Sequence, residues 1–186
     1  MEETLAHTQQ TVSSLRALLE RPVAPIIVEY RSVGTVTALA ITEPVTMEGI
    51  EPWWEAAFSE LHEAVRSSGA RRVGPDGALY PTEFFEEDLG EVVAFVPVAA
   101  EPEPTGRARP VELPGAELAV TLHVGPFSEL DQAYGALGTF VAQREIGVQG
   151  PIREHYLVGA DDASDESQHR TEVCWPVFQT RESRES

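Results

Sequence analysis

Hydrophobic and polar positions follow two different periods along the chain, and the changes of period divide it into helices and strands. Apolar residues at helical spacing predict three helices, at 1–21, 48–68 and 127–141. Runs rich in β-branched and aromatic residues predict strands at 26–31, 35–42, 78–81, 91–98, 117–124, 153–158 and 171–178. The proline-punctuated segment 101–110 predicts a linker, and residues 160–170 predict a polar loop.

Local signals mark the ends of these helices. Pro52 falls in the first turn of the second helix, where its missing N–H costs nothing, and Gly69 is a suitable stop. Ser128 is the expected N-cap of the third helix. The first helix repeats apolar residues every seven positions and is too short to be stable alone, so it either packs on the rest of the chain or forms a homodimer through residues 1–21.

The order strand, helix, strand, strand occurs twice. The segment GPDGALY (74–80) aligns with GPIREHY (150–156), which lies 76 residues further along. The strand EVVAFVPV (91–98) aligns with TEVCWPV (171–177) at an offset three residues longer, since Pro97 and Pro176 are 79 residues apart. A shared Gly-Pro, a tyrosine and a strand-ending Pro-Val in register indicate an internal repeat.

This repeat predicts an α+β fold with two similar halves, at about 35–98 and 117–177. Joined edge to edge, the halves would form one curved antiparallel sheet with the helices on one face. We expect a central ligand groove on the free face of that sheet. The prediction implies a pseudo-twofold relation between the halves.

Glu154 is the position at which the two halves differ. Strand side chains alternate, so Ile152, Glu154 and Tyr156 share one face, and Arg153 and His155 share the other. The repeat aligns Glu154 with an alanine. A carboxylate present in one half alone is more typical of function than of scaffold. If it lines the groove, the residues of the other face point toward the helices.

Composition limits the classes of partner. Among 186 residues, 31 are acidic and 13 are basic, for a formal net charge of −18. Such a chain repels phosphate backbones, so we expect no direct nucleic-acid binding and an attraction for cationic small molecules, unless the acidity serves solubility alone. Cys174 is the single cysteine, which excludes an intrachain disulfide. The sequence shows neither a signal peptide nor an apolar run of membrane-spanning length, and we expect a cytoplasmic protein with no membrane partner.

Motifs for metal, cofactor and nucleophile chemistry are missing from the sequence. The five histidines are scattered, without the spacing of a metal site, so we predict no metal. No phosphate loop or dinucleotide fingerprint occurs, and no cofactor is predicted. Ser128 does not lie in a GxSxG motif and is no candidate nucleophile.

Three segments, LHVGPFSELDQAYGAL, GPIREHYLVG and TEVCWPV, carry a resemblance in this order and spacing. They resemble the GyrI-like effector-binding family, which includes the ligand-binding domains of MerR-type and AraC-type multidrug-sensing regulators. The resemblance divides the chain into a ligand-binding domain at 23–179 and a polar tail at 180–186. Residues 1–22 resemble the end of the dimerisation helix of MerR-type regulators, whose DNA-binding domain we do not find in this sequence.

The family resemblance implies a central pocket for bulky, aromatic and often cationic molecules. Its carboxylate, which meets the charge of lipophilic cations, matches Glu154. Its aromatic wall is implied at Tyr156, Tyr80, Trp175, Trp54, Phe127 and Tyr134. The simpler alternatives are a solvated strand carboxylate and ordinary packing of the aromatic residues.

Three functions are therefore open. The first is a sensing or sequestering module of a MerR-type regulator that binds such molecules. The second is a hydrolase that opens strained cyclopropane rings of DNA-alkylating natural products, as the resemblance also implies. Glu154 would be its general base, and Tyr156 or Tyr80 would donate to the oxyanion. The third is a protein-interaction module that masks gyrase or another basic partner.

Overall fold

A single antiparallel sheet of eight strands forms the centre of the protein. The computed structural model describes residues 26–178. The strands are β1 (Glu29–Val33), β2 (Val36–Thr46), β3 (Asp76–Tyr80), β4 (Leu89–Pro97), β5 (Arg109–Leu113), β6 (Ala116–Val124), β7 (Ile152–Val158) and β8 (Arg170–Pro176). They lie in the order β1-β6-β8-β7-β3-β4-β2-β5. The predicted α+β class and its tandem strand-helix-strand-strand order are confirmed.

The strand order reads the same from the centre outward on both sides. The β7–β3 pair forms the seam between the halves, and β8, β6 and β1 on one side correspond to β4, β2 and β5 on the other. Across the seam, Ala78 pairs with Glu154, and these two residues are also equivalent in the repeat. The carboxylate that distinguishes the halves therefore lies on the seam itself. The bounds of the two halves, 35–98 and 117–177, stay a prediction.

Within the described residues, three helices lie on one face of the sheet: α1 (Ile50–Ser68), α2 (Thr82–Glu86) and α3 (Leu130–Gln143). Helix α1 ends at Gly69, whose φ of 68° is the left-handed conformation that glycine adopts without strain. The predicted N-cap of α3 is wrong. Ser128 lies in a 3₁₀ turn at Phe127–Glu129, and α3 begins after it without a side-chain cap.

The helices bury their apolar stripes on the two halves of the sheet separately. Helix α1 contributes Ala57, Phe58 and Leu61 to a core over β2, β3 and β4. Helix α3 contributes Leu137 and Val141 to a second core over β6, β7 and β8. Because each core lies over one half of the sheet, the junction between α1 and α3 lies above the seam between β3 and β7.

Some predicted boundaries needed correction. The predicted linker 101–110 runs into strand β5, which pairs with β2 at the edge of the sheet, where a proline is tolerated. Helix α2 was not predicted, because five residues are too few to show a helical period. The predicted helix and homodimer contact at 1–21, and the tail at 180–186, lie outside the described residues.

The free face of the seam shows complementary packing of large and small side chains. In the first half, Gly77 of β3 pairs with Phe95 of β4. At the equivalent place in the second half, Arg153 of β7 pairs with Cys174 of β8. Phe95 and Cys174 are buried. Each half thus places one large and one small side chain here. The large one is on the outer strand β4 in the first half and on the seam strand β7 in the second half.

We expect Gly77→Ala to destabilise the protein by about 1–3 kcal/mol or more, the usual cost of overpacking. An added Cβ would lie 2.7 Å from the carbonyl oxygen of Glu154 and would also overlap the Phe95 ring. Gly34→Ala is the control, since its Cβ would meet nothing within 4 Å. Urea unfolding of both variants measures the difference. Equal stability of the two variants would show that the seam is not closely packed.

Candidate functional site

The carboxylate of Glu154 is buried on the helix-bearing face of the seam. The residue is 6% exposed. Its Oε2 accepts a hydrogen bond from the hydroxyl of Tyr134 on α3, and its Oε1 accepts one from the hydroxyl of Tyr156, at 2.9 Å. The expectation that Glu154 lines the free face is therefore wrong. Strand alternation shows which residues share a face, but the helices decide which face that is.

A third tyrosine extends this hydrogen-bonded network across the seam. The hydroxyl oxygens of Tyr80 and Tyr156 are 3.0 Å apart. Because Tyr156 gives its proton to Glu154, Tyr80 must be the donor in this pair. Burial raises the pKa of all three tyrosines, including Tyr134, well above its usual value. The tyrosines are therefore neutral donors.

Burial also raises the pKa of Glu154, and the two tyrosine hydrogen bonds oppose that shift. Within residues 26–178, no Arg, Lys or His forms an ion pair with this carboxylate. Its partners are thus two neutral hydroxyl groups. Such a group gains from any cation that can come close to it.

Aromatic rings enclose the Tyr156 end of the network. Trp54 and Phe58 of α1 lie 4.9 and 5.8 Å from the Tyr156 ring, measured between centroids. Phe127, in the 3₁₀ turn before α3, lies 6.0 Å from Tyr156 and 5.5 Å from Trp54. All four contacts are edge-to-face, the arrangement that aromatic pairs favour. The helix α1 and the turn before α3 thus meet over Tyr156.

At the Tyr134 end, Phe85 of α2 covers the network from outside. Its ring lies 5.5 Å from the ring of Tyr134 and 6.2 Å from that of Tyr80. Phe85 is 40% exposed, in contrast to the tyrosines beneath it. Sequence reasoning missed this residue, although an aromatic pair, Phe84 and Phe85, within an acidic stretch was a usable signal.

Six of the seven predicted site residues belong to this cluster, which we call the seam cage: Glu154, Tyr156, Tyr80, Trp54, Phe127 and Tyr134. The seventh, Trp175, lies elsewhere. Its ring packs against α3 at Gly138, where an added Cβ would be 3.2 Å away, and it is partly buried against the core of the second half. Its side chain shares the face of Glu154 but lies toward the outer end of β8, where it packs on that core.

The other face of β7 carries a separate polar network. His155 Nδ1 lies 3.1 Å from Glu172 Oε1, and Arg31 donates two hydrogen bonds to the same carboxylate. These bonds lower the pKa of Glu172 to about 2. Arg153 is buried and donates to the carbonyl oxygen of Pro114. Arg153 and His155 therefore point away from the helices, opposite to the expectation.

Among residues 26–178, no three His, Cys, Asp or Glu side chains are grouped closely enough to hold a metal ion. None of the helices in the same part of the chain is both long and apolar enough to cross a membrane. The chemistry of the seam cage therefore depends on one carboxylate, three phenols and the surrounding rings.

We expect Glu154→Gln to alter the pH dependence of stability. The raised pKa of Glu154 means that, as pH rises above about 4.3, the unfolded state ionises first and stability falls until the folded pKa is passed. Glutamine does not titrate. The free energy of unfolding of the variant, relative to wild type, should therefore increase between about pH 4 and 7.5.

Urea unfolding at both pH values measures this difference. Glu91→Gln, at an exposed glutamate of β4, is the control for the loss of one negative charge. If the free energy of unfolding of Glu154→Gln relative to wild type stayed constant or decreased as pH rises, the pKa of Glu154 would not be raised in the folded protein.

Comparisons with solved structures agree with this architecture. The C-terminal domain of EcmrR is similar over 83% of this chain and 99% of that chain, with 18% identity and a TM-score of 0.72. A hydrolase encoded by lin2189 from Listeria innocua is similar over 81% and 91%, with 17% identity and a TM-score of 0.57. SAV2435 bound to tetraphenylphosphonium is similar over 83% and 95%, with 14% identity and a TM-score of 0.58.

A comparison with curated proteins found no match. A family profile, however, matches residues 30–177, which include every strand from β2 to β8 and the whole seam cage. The chain therefore belongs to the GyrI-like small molecule binding domain family.

Proposed function

We propose that this protein binds bulky aromatic cations in the seam cage and acts as a cytoplasmic sensor or sequestering module. The observation that carries the proposal is the buried Glu154 carboxylate, held by neutral tyrosines with no cation paired to it among residues 26–178. A ligand cation would supply the missing charge.

The energetics favour a ligand that is both charged and aromatic. A carboxylate taken out of water keeps an uncompensated desolvation cost until a positive charge comes near. The faces of Trp54, Phe127 and Tyr156 can add cation–π attraction of roughly 0.5–2 kcal/mol each. Neither contact depends closely on ligand shape, so broad specificity follows.

Ligand entry requires the cage to open. Glu154, Tyr80 and Tyr156 are each less than one-tenth exposed, whereas Phe85 is 40% exposed. Phe85 belongs to α2, a helix of five residues that packs mainly on β4. Its outward movement would uncover Tyr134 and the carboxylate behind it. We propose this movement as the route of entry.

Two of the comparisons support the proposed ligand class and role. SAV2435, which shares the fold, binds tetraphenylphosphonium, a lipophilic aromatic cation. The chain is also similar to the C-terminal domain of EcmrR, a protein whose structure has been solved in complex with DNA, which supports a role in a regulator. The formal net charge of −18 would also attract cations to the surface and speed their association.

We expect Glu154→Gln to weaken the binding of methyltriphenylphosphonium by about 1.5–3 kcal/mol, the scale of a charge-assisted contact. Triphenylphosphine oxide is nearly the same shape but neutral, and its affinity should hardly change. Isothermal titration calorimetry with both compounds measures the two effects.

Glu91→Gln is the matched control, because it removes the same charge from an exposed position and should leave both affinities unchanged. Equal losses for the cation and the neutral compound would mean that Glu154 supports the shape of the cage. If neither affinity changed, the carboxylate would not contact the ligand.

A second candidate function is hydrolysis. The observations that favour it are the raised pKa of Glu154, which suits a general base, and the likeness to a hydrolase from Listeria innocua. Glu154 would take a proton from water while the water oxygen attacks a ring carbon of an electrophilic cyclopropane. The ring C–C bond would break, and its electron pair would move to the conjugated carbonyl oxygen. A tyrosine hydroxyl would then give that oxygen a proton, and the proton held by Glu154 would pass to the tyrosine through their hydrogen bond, so that both groups are restored.

We expect an electrophilic cyclopropane to gain one water in the presence of the protein, as detected by mass spectrometry, if the hydrolase function is correct. Glu154→Gln should abolish the turnover, and Tyr134→Phe should reduce it by about ten-fold or more through the lost hydrogen bond to the base. Binding without turnover would exclude this function. If the protein showed no binding and no turnover, the protein-interaction alternative would be favoured.

A further inference from the structure

Two buried polar atoms next to the seam cage have no hydrogen-bond partner among residues 26–178. The first is Nδ1 of His169, which lies just before β8 and is 4% exposed. Its other ring nitrogen, Nε2, is 2.9 Å from the carbonyl oxygen of Ala163. A carbonyl oxygen accepts only, so Nε2 carries a proton, and Nδ1 of the neutral ring is an acceptor.

The second atom is the hydroxyl oxygen of Thr171, a residue with no exposed surface. Thr171 is paired with Tyr156 across β7 and β8. Residues directly opposite each other in a sheet point to the same face, so the Thr171 hydroxyl lies on the helix-bearing face beside the Tyr156 ring. It can donate one hydrogen bond and accept others.

Both residues border the aromatic part of the cage. The ring of Phe127 is 5.2 Å from that of His169 and 6.0 Å from that of Tyr156. Starting from Glu154, the order along the helix-bearing face is therefore carboxylate, Tyr156, and then Thr171 with His169. The cage has a charged end and, beyond its aromatic middle, an uncharged polar end.

Buried polar groups in native proteins are nearly always hydrogen-bonded, and each exception needs an explanation. Leaving such a group unpaired costs roughly 1–3 kcal/mol. Here an acceptor and a donor both stay unpaired on the Tyr156 side of the cage, next to a site already inferred to take a ligand. A threonine and a histidine with one neutral acceptor nitrogen suit a hydroxyl or amide group.

We propose that Thr171 and His169 form a second, uncharged subsite that hydrogen-bonds a hydroxyl or amide group at the far end of the ligand. This inference rests on the proposed function, since it extends the same cage. It narrows the ligand class from any aromatic cation to aromatic cations that carry a neutral hydrogen-bonding group away from the charge.

Two probes that differ in one group test this subsite. Tetraphenylphosphonium has no hydrogen-bonding group, and (hydroxymethylphenyl)triphenylphosphonium adds one hydroxyl, in a meta or para position. We expect at least one hydroxymethyl isomer to bind the wild-type protein about 3- to 10-fold more tightly than tetraphenylphosphonium, the range of one neutral hydrogen bond. Calorimetry gives the ratio of the two affinities.

Thr171→Val keeps the shape of the side chain and removes its hydroxyl, so the ratio should fall to about one. His169→Gln can keep a donor to Ala163 while removing Nδ1, and it should reduce the ratio as well. Glu154→Gln should weaken both probes equally and leave the ratio unchanged. These three variants separate the polar end from the charged end.

Stability gives a readout that is independent of any ligand. Thr171→Val removes an unpaired hydroxyl and should not lower the melting temperature. Thr121→Val is the matched control, because the buried Thr121 hydroxyl donates to the carbonyl oxygen of Ile27 at 3.1 Å, and its loss should destabilise the protein measurably.

The outcomes separate this inference from the function beneath it. If tetraphenylphosphonium binds but no hydroxymethyl isomer binds better, the second subsite does not exist and the proposed function stands. A ratio that survives Thr171→Val also overturns the subsite. Equal destabilisation by Thr171→Val and Thr121→Val would mean that the Thr171 hydroxyl is already paired, for example with a buried water. If neither probe binds, the proposed function is wrong, and the subsite inference that rests on it is wrong as well.

Discussion

The hydrogen bonds from tyrosine to the buried Glu154 carboxylate are the interaction on which the rest of the site depends. Neutral hydroxyl groups hold the carboxylate inside the protein and oppose, without cancelling, the rise in its pKa that burial causes. An arginine in place of these tyrosines would form an ion pair with Glu154, and a ligand cation would then gain little from binding there. By using phenols, the cage holds the carboxylate in position and keeps it attractive to a cation.

The sheet determines where this carboxylate lies. Glu154 pairs with Ala78 at the seam, and the small alanine side chain leaves space above the sheet. Each half brings its own tyrosine, Tyr80 or Tyr156, to that space, and the two hydroxyls meet there. The helices cover the halves separately, which leaves the space between them to aromatic side chains. The position of the Glu154 carboxylate, its burial from water and the way a ligand could reach it therefore all follow from joining the two halves of the sheet edge to edge.

The sequence revealed the parts of this arrangement that depend on order and spacing. The Gly-Pro register aligned the two tyrosines and identified Glu154 as the difference between halves, and the fold class followed from the repeated element order. Alternation could not show which face of the sheet carries Glu154. It tells which strand residues share a face, but not which of the two faces the helices cover. The family resemblance predicted Trp175 in the aromatic wall, but its position along β8 takes it under α3 at Gly138.

Residues that depend on tertiary contacts were harder to find. Phe85 reaches the cage from a helix too short to leave a period, and His169 reaches it from a loop whose composition is simply polar. Thr171 looks like an ordinary strand residue in the sequence, and only the structure shows that its hydroxyl has no partner in the described part of the chain. The contacts of such residues are set by the packing of segments that are distant in sequence.

The pairing of Ala78 with Glu154 has a consequence for how such a protein can arise. In a homodimer of two identical half-length chains, both positions would carry the same residue, directly opposite its copy across the symmetry axis. Two buried carboxylates at that distance would repel each other, and two alanines would offer no charge. Fusion of the halves into one polypeptide removes this restriction, because each can then change alone. Under the proposed function, the single carboxylate would set one ligand per chain, although the scaffold has two equivalent halves.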